Sequence, residues 1–226
     1  MSTDLLHAMT NGVTCGDCVD VMAHMPAACV DMVLTDPPYL VRYRDRRGRR
    51  IRNDDRDDWL APAFAQMHRV LRDDSVCISF YGWNAADRFL SAARSAGFRV
   101  AGHIVFPRPY ASNAGLVAYR HEQAFLFAKG RPPPPARPPP DVITGWRYTG
   151  NWLHPTQKPV EILLPLIDAF TAPGQIVLDP FCGSGSTLVA AEQQDRRFVG
   201  IELDRGHGET SRTRLTATPA ADPAGP

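Results

Sequence analysis

The sequence predicts an α/β domain with a mainly parallel sheet and helices on both faces. Strand-like apolar runs alternate with helical patterns along the chain, which is the order of a parallel sheet joined by crossover helices. The length of 226 residues suits one such domain with a sizeable core. A glycine-rich turn, Gly183-Ser184-Gly185, stands between a predicted strand and a predicted helix, where the backbone can approach a ligand closely.

The individual elements follow from the hydrophobic pattern. Short apolar runs predict strands at 31–35, 75–81, 99–106, 122–128, 175–179 and 198–202, with 13–15 as a further edge strand. Helix-like patterns predict helices at 59–71, 84–96, 160–170 and 186–194. Gly97 and Gly174 fall just past two of these helices, where a left-handed cap is needed.

Two stretches of the chain are expected to lack helices and strands. Residues 131–140 contain seven prolines, so we predict an extended connector of roughly 30 Å, at about 3.1 Å per residue. Residues 216–226 are rich in Ala, Pro and Thr and are predicted to be disordered. We therefore expect a single domain over 1–215, with an arginine-rich loop at 40–58 and a proline-rich region at 130–151 as insertions.

The composition argues against several classes of protein. No run of about 18 apolar residues exists, so a membrane span is not expected. The N-terminus lacks a basic region followed by an apolar one, so we expect a cytoplasmic enzyme rather than an exported one. The five cysteines are irregularly spaced, and the Cys15–Cys18 pair has no second pair at zinc spacing. Free thiols and no metal site are predicted.

The segment Asp36-Pro37-Pro38-Tyr39 is the most informative motif. It follows the predicted strand 31–35, and it combines a carboxylate, two rigid prolines and an aromatic ring. Such a segment can hold a planar, amine-bearing ring against Tyr39 while Asp36 and the Pro37 carbonyl accept its N–H bonds. The alternative is that Tyr39 is a turn aromatic that packs on the core.

An arginine-rich loop follows this motif directly. Residues 42–56 contain eight arginines and three aspartates, although the whole chain has a net charge of only +1. Arginine matches phosphate geometry well, so we predict that the loop binds a nucleic acid; the alternative is a solvated surface loop. The predicted DNA contacts are Arg42, Arg44, Arg46, Arg47, Arg49 and Arg50.

The glycine-rich turn predicts a nucleotide-type cofactor site. Free N–H groups at a helix start favour an anionic group. The dinucleotide fingerprint is absent, because its third glycine position is Leu188, and no P-loop lysine follows the turn. The next predicted strand ends at Glu202, whose carboxylate is placed to accept both hydroxyls of a ribose. The alternative for Glu202 is a surface acid at a strand end.

Together these motifs resemble the DNA amino-methyltransferases that act on adenine N6 or cytosine N4. Residues 178–187 resemble the S-adenosylmethionine (SAM) loop of these enzymes, and the catalytic motif precedes it, as in their permuted β group. Further matches are Gly16-Asp17-Cys18, His121-Glu122 and the segment 154–159; the resemblance covers about residues 11–204. It implies a Rossmann-like methyltransferase fold with a seven-stranded, mostly parallel sheet.

The resemblance also implies roles for individual residues. Asp36, Pro37, Pro38 and Tyr39 would be catalytic. Glu202 would bind the ribose of SAM, and Asp17 and Cys18 its adenine; for Asp17 a helix N-cap is the alternative, and both can hold. Lys158 would contact the cofactor or, alternatively, lie on the surface. The remaining cofactor contacts would be Thr156, Asp179, Phe181, Gly183, Ser184, Gly185 and Ser186.

The implied reaction is direct methyl transfer to the exocyclic amine of a flipped-out DNA base. An Asp-led motif favours adenine N6, with cytosine N4 as the alternative. A cytosine C5 reaction needs a Pro-Cys nucleophile, which the chain lacks, and protein glutamine methyltransferases carry Asn in place of Asp36. An RNA methyltransferase and a non-catalytic DNA-binding regulator remain alternatives.

The expected target-recognition region is short. It lies within 131–151, and half of it is proline-rich. We therefore expect either a short or relaxed target sequence or a second subunit, as in a homodimer, that supplies further contacts to DNA. The aromatic segment 80–83 is predicted to line the base pocket or, equally, to belong to the core.

Overall fold

The computed structural model describes residues 2–44, 48, 50–108, 110–111, 116–146 and 157–217. Within these residues seven strands form one sheet: β1 (Gly12–Cys15), β2 (Val30–Thr35), β3 (Leu71–Phe80), β4 (Arg99–Pro107), β5 (His121–Lys129), β6 (Ile176–Asp179) and β7 (Arg197–Glu202). The α-helices are α1 (Ser2–Met9), α2 (Cys18–Ala23), α3 (Leu60–Val70), α4 (Ala86–Ser95), α5 (Leu164–Phe170), α6 (Ser186–Glu192) and α7 (Arg205–Thr216). Short 3-10 turns at Trp83–Ala85 and Val160–Ile162 precede α4 and α5.

The sheet has the strand order β1-β7-β6-β2-β3-β5-β4. Neighbouring strands are parallel from β1 through β3, whereas β5 runs antiparallel to both β3 and β4. The predicted mainly parallel sheet is thus confirmed, and the segment 13–15 forms its edge. Because only β5 runs in the opposite direction, the carboxyl ends of the other six strands and the amino end of β5 meet at one edge of the sheet.

Helices cover both faces of the sheet and enclose two apolar cores. On one face Phe64 of α3 contacts Phe89, Phe98 and Phe127 edge-on, at 5.8 to 6.3 Å between ring centroids. On the other face α5 and α6 bury side chains such as Leu188 completely. Burial of one large apolar side chain contributes about 1.5–3 kcal/mol, so these two cores fix the strands that carry the site.

All the strands and helices predicted from the sequence are present, with small shifts at their ends. Gly97 has φ of +99° directly after the α4 cap residue Ala96, which confirms the predicted left-handed cap. Gly174 also has positive φ, +79°, but α5 ends at Phe170 with an extended Thr171, so Gly174 forms a turn after the helix and not its cap. The region 131–140 contains neither helix nor strand, as its prolines predict. No helix in the described residues is long and apolar enough to span a bilayer.

Two helices, α1 and α7, were not predicted from the sequence, and α2 was anticipated only through the alternative role of Asp17 as a helix N-cap, which the structure confirms. α1 and α2 are only eight and six residues long, too short for a clear period. α7 is polar, and only Gly208 and Ser211 are buried within it. It starts because Asp204 accepts hydrogen bonds from the N–H groups of Gly206 and His207, and it ends at Thr216. Of the predicted tail, residues 218–226 lie outside the described residues.

Candidate active site

The candidate site lies at the edge of the sheet where the carboxyl ends of the parallel strands meet. β6 and β2 are neighbours there, although they are far apart in the sequence. The chain leaves β2 toward β3 on one side, and it leaves β6 toward β7 on the other. Such a reversal of strand order opens a crevice above the sheet, which is where open α/β folds bind their ligands.

A large cavity occupies this crevice. Its open volume is about 1010 Å³, including space open to solvent, which is at the upper end for ligand pockets. It brings together residues from both sequence motifs. The predicted site residues that line it are Asp17, Cys18, Asp36, Pro37, Pro38, Tyr39, Arg50, Phe181, Gly183 and Glu202.

A smaller cavity, with an open volume of about 330 Å³, adjoins the large one. The two cavities share Asp36, Phe181 and Gly183 in their walls. The Asp36 carboxylate, which the sequence predicts to be catalytic, and the glycine-rich turn therefore face common space, as the predicted chemistry requires. The predicted site residues that line only the smaller cavity are Lys158, Asp179, Ser184 and Ser186.

The Asp36 carboxylate is held by two donors. The Tyr39 hydroxyl donates to Oδ1 at 2.7 Å, and the Lys158 ammonium donates to Oδ2 at 2.6 Å. The same ammonium lies 2.8 Å from Oε2 of Glu122 and 5.0 Å from the centroid of the Phe80 ring. Lys158 is 6% exposed, so a surface role for this lysine is wrong.

This charge cluster shifts the pKa of each member. Burial raises the pKa of the Asp36 carboxyl, although the Lys158 ammonium offsets part of that effect. Burial alone would raise the pKa of Glu122, but Lys158 and Arg108 together lower it. Burial likewise opposes the charge on Lys158, but the two carboxylates raise its pKa. One buried cation thus pairs with two carboxylates whose pKa values are shifted in opposite directions.

Asp179 lies deeper, at the end of β6. Its carboxyl is 2% exposed and accepts hydrogen bonds from the Thr35 hydroxyl at 2.7 Å and the Phe181 N–H at 3.1 Å. Burial raises the pKa of Asp179 to about 7. The bond from Thr35 ties β6 to the end of β2, directly before Asp36, so Asp179 joins the two motifs.

Glu202 and Asp17 lie on the β7 and β1 side of the large cavity. Glu202 accepts the Gly183 N–H at 2.8 Å and the Asp204 N–H at 2.8 Å, so its carboxylate fixes the glycine-rich turn as well as facing the cavity. Asp17 accepts the Val19 N–H at 2.8 Å and is the N-cap of α2. Asp17 therefore caps a helix and lines the cavity at once.

Several predicted contacts lie elsewhere. Gly185 has φ of +81°, and a Cβ there would come within 2.9 Å of the Ser211 hydroxyl of α7, so packing requires this glycine. Phe80 and Tyr81 are buried in the core and stack on Phe106 and Phe125. Trp83 is exposed. The predicted cofactor contact Thr156 and the predicted DNA contacts Arg46, Arg47 and Arg49 lie outside the described residues.

The arginine-rich loop is anchored over the large cavity. Asp54 is 1% exposed and accepts the N–H groups of Val41 and Tyr43, and Arg44 pairs with Arg50 through a β-bridge. Arg50 lines the cavity, whereas Arg42 and Arg44 do not. This loop therefore forms one wall of the cavity, a position that its charge alone did not predict.

Sequence reasoning missed Glu122 and Trp59 as site residues. Glu122 joins the Asp36 cluster from the start of β5, and the only signal for it was the dipeptide His121-Glu122. Trp59 lines the large cavity and packs edge-on against Phe181, with ring centroids 5.1 Å apart. No motif points to Trp59.

Comparisons with known proteins agree with this geometry. A family model described as a DNA methylase matches residues 30–212. Over 206 residues the chain is 56% identical to the methylase YubD of Escherichia coli (strain K12), covering 91% of this chain and 90% of that protein. It is 27% identical to the DNA adenine methyltransferase YhdJ of the same organism, covering 88% and 81%.

Two solved structures show the same fold. The M1.HpyAVI–SAM complex has a TM-score of 0.71 at 20% identity, covering 91% of this chain and 98% of that one. The cytosine-N4-specific PvuII DNA methyltransferase has a TM-score of 0.75 at 19% identity, covering 92% and 86%. The predicted methyltransferase fold is thereby confirmed.

Proposed function

Because this chain belongs to the DNA methylase family that modifies adenine N6 or cytosine N4, we propose that it methylates the N6 amine of adenine in DNA, with SAM as the methyl donor. The observation that carries this proposal is the position of Asp36. Its carboxylate lies at the junction of the two cavities, with the Tyr39 ring beside it and the glycine-rich turn opposite.

The residues of the cavities fit SAM. When bound, SAM supplies a methyl group activated by a sulfonium. Glu202 and Asp17 offer carboxylate acceptors suited to the ribose hydroxyls and the adenine amine, and both line the large cavity. The smaller cavity, lined by Asp179, Ser184 and Ser186, suits the polar amino-acid end. These assignments place the methyl-bearing centre beside Gly183, where the two cavities meet.

Asp36 is suited to activate the target amine. The lone pair of an exocyclic amine is delocalised into the base, and acceptors on its N–H bonds localise that pair on nitrogen. The Asp36 carboxylate and the Pro37 carbonyl provide such acceptors at the cavity wall. Because burial raises the pKa of Asp36, this carboxylate also takes up the proton that the nitrogen loses after transfer more readily than an exposed one.

Lys158 and Tyr39 keep Asp36 ready for this role. Their donors occupy one lone pair on each carboxylate oxygen, which fixes the carboxylate plane, while a second lone pair on each oxygen remains for the amine. The Tyr39 ring offers a face on which a flipped base stacks, a contact worth roughly 1–3 kcal/mol. That contact offsets part of the few kcal/mol that flipping costs.

The choice of adenine over cytosine rests on the leading Asp36 of the motif and on the likeness to the adenine methyltransferase YhdJ. Cytosine N4 is the second candidate, since the fold is shared with the cytosine-N4-specific PvuII enzyme. Both products arise by the same transfer at the same carboxylate. The choice between adenine and cytosine therefore depends on the shape of the cavity that binds the base.

The test is methyl transfer from labelled SAM to unmethylated plasmid DNA, followed by digestion to nucleosides and mass spectrometry. We expect N6-methyldeoxyadenosine. N4-methyldeoxycytidine alone would keep the enzyme class and overturn the choice of base. Label found only in RNA offered in parallel, or in neither nucleic acid, would overturn the proposal.

A further inference from the structure

We propose that an exposed aromatic surface beside the catalytic cavity contacts DNA around the flipped base; this inference rests on the proposed function. We call this surface the aromatic rim and define it by Trp83, Tyr119, Leu116 and Val117. Its role is to stack on the base left unpaired when the target leaves the duplex. Neither sequence motif contains any of these four residues.

The rim is a concentrated apolar surface. Trp83 is 60% exposed, and its ring stacks on Tyr119 with centroids 5.5 Å apart and planes 17° from parallel. Leu116 is fully exposed and Val117 is 57% exposed. Three of the six exposed large apolar side chains in the described residues thus belong to the rim. Such clusters mark binding surfaces.

The rim is continuous with the mouth of the catalytic cavity. Gly82, directly before Trp83, packs so tightly on Tyr39 that a Cβ would lie 2.9 Å from the Tyr39 carbonyl oxygen. On the other side, the connection from β4 to β5 carries Tyr119 and ends two residues before Glu122, a member of the Asp36 cluster. The rim therefore lies beside the elements that hold Asp36, although none of its four residues lines either cavity.

The charge of this connection selects a nucleic acid as the occupant. Residues 107–121 contain two arginines and a histidine but no aspartate or glutamate. Arg108 lies over the ring of Tyr110, 5.7 Å from its centroid, but it also pairs with Glu122 at 3.5 Å, whereas Arg120 is exposed directly after Tyr119. Exposed rings that can stack on bases, followed by an exposed arginine, match the composition of single-strand binding surfaces.

The rim also compensates for the short recognition region. Seven of the ten residues 131–140 are prolines, which supply no charge and no hydrogen-bond donor to DNA, and only Arg131 and Arg137 carry a charge. We therefore expect other elements at this edge of the sheet to add contacts that hold an opened duplex. The rim supplies stacking, which tolerates many base sequences.

The test compares Trp83→Ala and Tyr119→Ala with wild type in methyl transfer to unmethylated plasmid DNA. We expect kcat/KM for DNA to fall roughly five- to hundredfold, the loss of about one base–aromatic stack. Trp83→Phe keeps a ring and retains most activity. Glu192→Ala removes an exposed side chain at the last residue of α6, outside the rim and both cavities, and leaves kcat/KM for DNA unchanged. The Kd for SAM, measured by calorimetry, stays within about twofold in each variant.

A further variant distinguishes a lost DNA contact from a folding defect. Val117→Glu leaves the stacked pair intact and adds a carboxylate that repels phosphates, so it also raises the KM for DNA while SAM binding is kept. Unchanged kcat/KM for DNA in the alanine variants, with an active wild type, would overturn the rim and leave the proposed function standing. If wild type is a dimer, the alanine variants are monomers and kcat/KM for DNA is unchanged, the rim is an interface between two copies of this chain and not a DNA contact. An inactive wild type would remove both proposals.

Discussion

At Lys158 one buried ammonium group pairs with two partly buried carboxylates whose pKa values are shifted in opposite directions. The pKa of Asp36 is raised and that of Glu122 is lowered, so their surroundings make Asp36 easier to protonate, and Glu122 harder, than the free side chains. The carboxylate that faces both cavities is therefore the one whose surroundings favour proton uptake. Lys158 limits the rise in the pKa of Asp36 and so favours its ionised form.

Replacing Lys158 by methionine tests this role. Asp36 acts as an anion, so activity falls as the pH drops through its pKa. Without the ammonium that pKa rises further, and the acidic limb of the kcat profile moves to higher pH. Breaking the buried pair also destabilises the fold by about 3–5 kcal/mol, which thermal unfolding measures.

The double variant Lys158→Met with Glu122→Gln serves as the control. It removes one of the two uncompensated carboxylates, so we expect part of both effects to be recovered. If the acidic limb of the kcat profile lies at the same pH in Lys158→Met as in wild type, Lys158 does not control the pKa of Asp36.

Whether a site residue could be predicted from the sequence depends on how far its partner lies from it along the chain. Asp36 and Tyr39 are three residues apart, so both belong to one short motif that the sequence analysis could identify. Lys158 is 122 residues from Asp36, and Glu122 is 83 residues from Tyr39. Only the fold brings these partners together, so the sequence could not distinguish a buried counter-ion from a surface lysine.

Among the elements, α2 shows how a short helix is tied to the site. It has six residues, and Asp17 caps it while facing the large cavity. Isolated helices of this length are unstable in water. The cap and the contact of α2 with the core therefore hold it, and through it the carboxylate that we assign to the adenine of SAM.

Two substitutions at Asp17 separate the cap from the cofactor contact. Serine is as good an N-cap as aspartate but is shorter and uncharged, so Asp17→Ser keeps the melting temperature and weakens SAM binding. Asp17→Ala also loses the cap and about 1 kcal/mol of stability. Calorimetry measures the change in SAM affinity, and thermal unfolding measures the change in stability. Unchanged SAM affinity in the serine variant would remove the adenine assignment and leave only the cap.

The elements that the sequence predicted are those with a strong apolar period. β2, with all six residues buried, and α3, with five of its residues buried, are examples. α7 lacks such a period, because it packs through Gly208 and Ser211 and through the Arg212 bond to the Val13 carbonyl. A helix held by small residues and polar bonds leaves little trace in a hydrophobic pattern.

Across the whole molecule, one buried carboxyl should govern how stability responds to pH. Asp179 has a pKa of about 7, above the unperturbed value of about 3.9. The folded state therefore holds its proton more tightly than the unfolded chain does. Its contribution is fully present below about pH 4 and is lost as the pH rises through about 7, a change on the order of a few kcal/mol.

Asp179→Asn removes this titration while its side-chain oxygen still accepts the Thr35 hydrogen bond. We expect the wild-type melting temperature to drop between pH 5 and pH 8 by several degrees more than that of the variant. Differences between the two proteins isolate Asp179 from all other titrating groups. If the melting temperatures of wild type and Asp179→Asn change equally between pH 5 and pH 8, Asp179 is ionised throughout this range.

The arrangement of the whole sheet explains why two distant motifs form one site. The hydrophobic pattern predicts a parallel sheet, but it does not specify that β5 enters between β3 and β4 or that β6 lies beside β2. That order depends on contacts between strands distant in sequence, such as the Thr35–Asp179 hydrogen bond across 144 positions. The resemblance to a methyltransferase family supplied what the pattern could not.

The central claim is that Asp36 acts on the target amine and not on the cofactor. Asp36→Ala tests it most directly, with methyl transfer to unmethylated DNA and SAM affinity measured on the same preparation. The account predicts no methylated nucleoside together with a Kd for SAM close to that of wild type. Methylation at the wild-type rate, or loss of SAM binding in the variant, would contradict it.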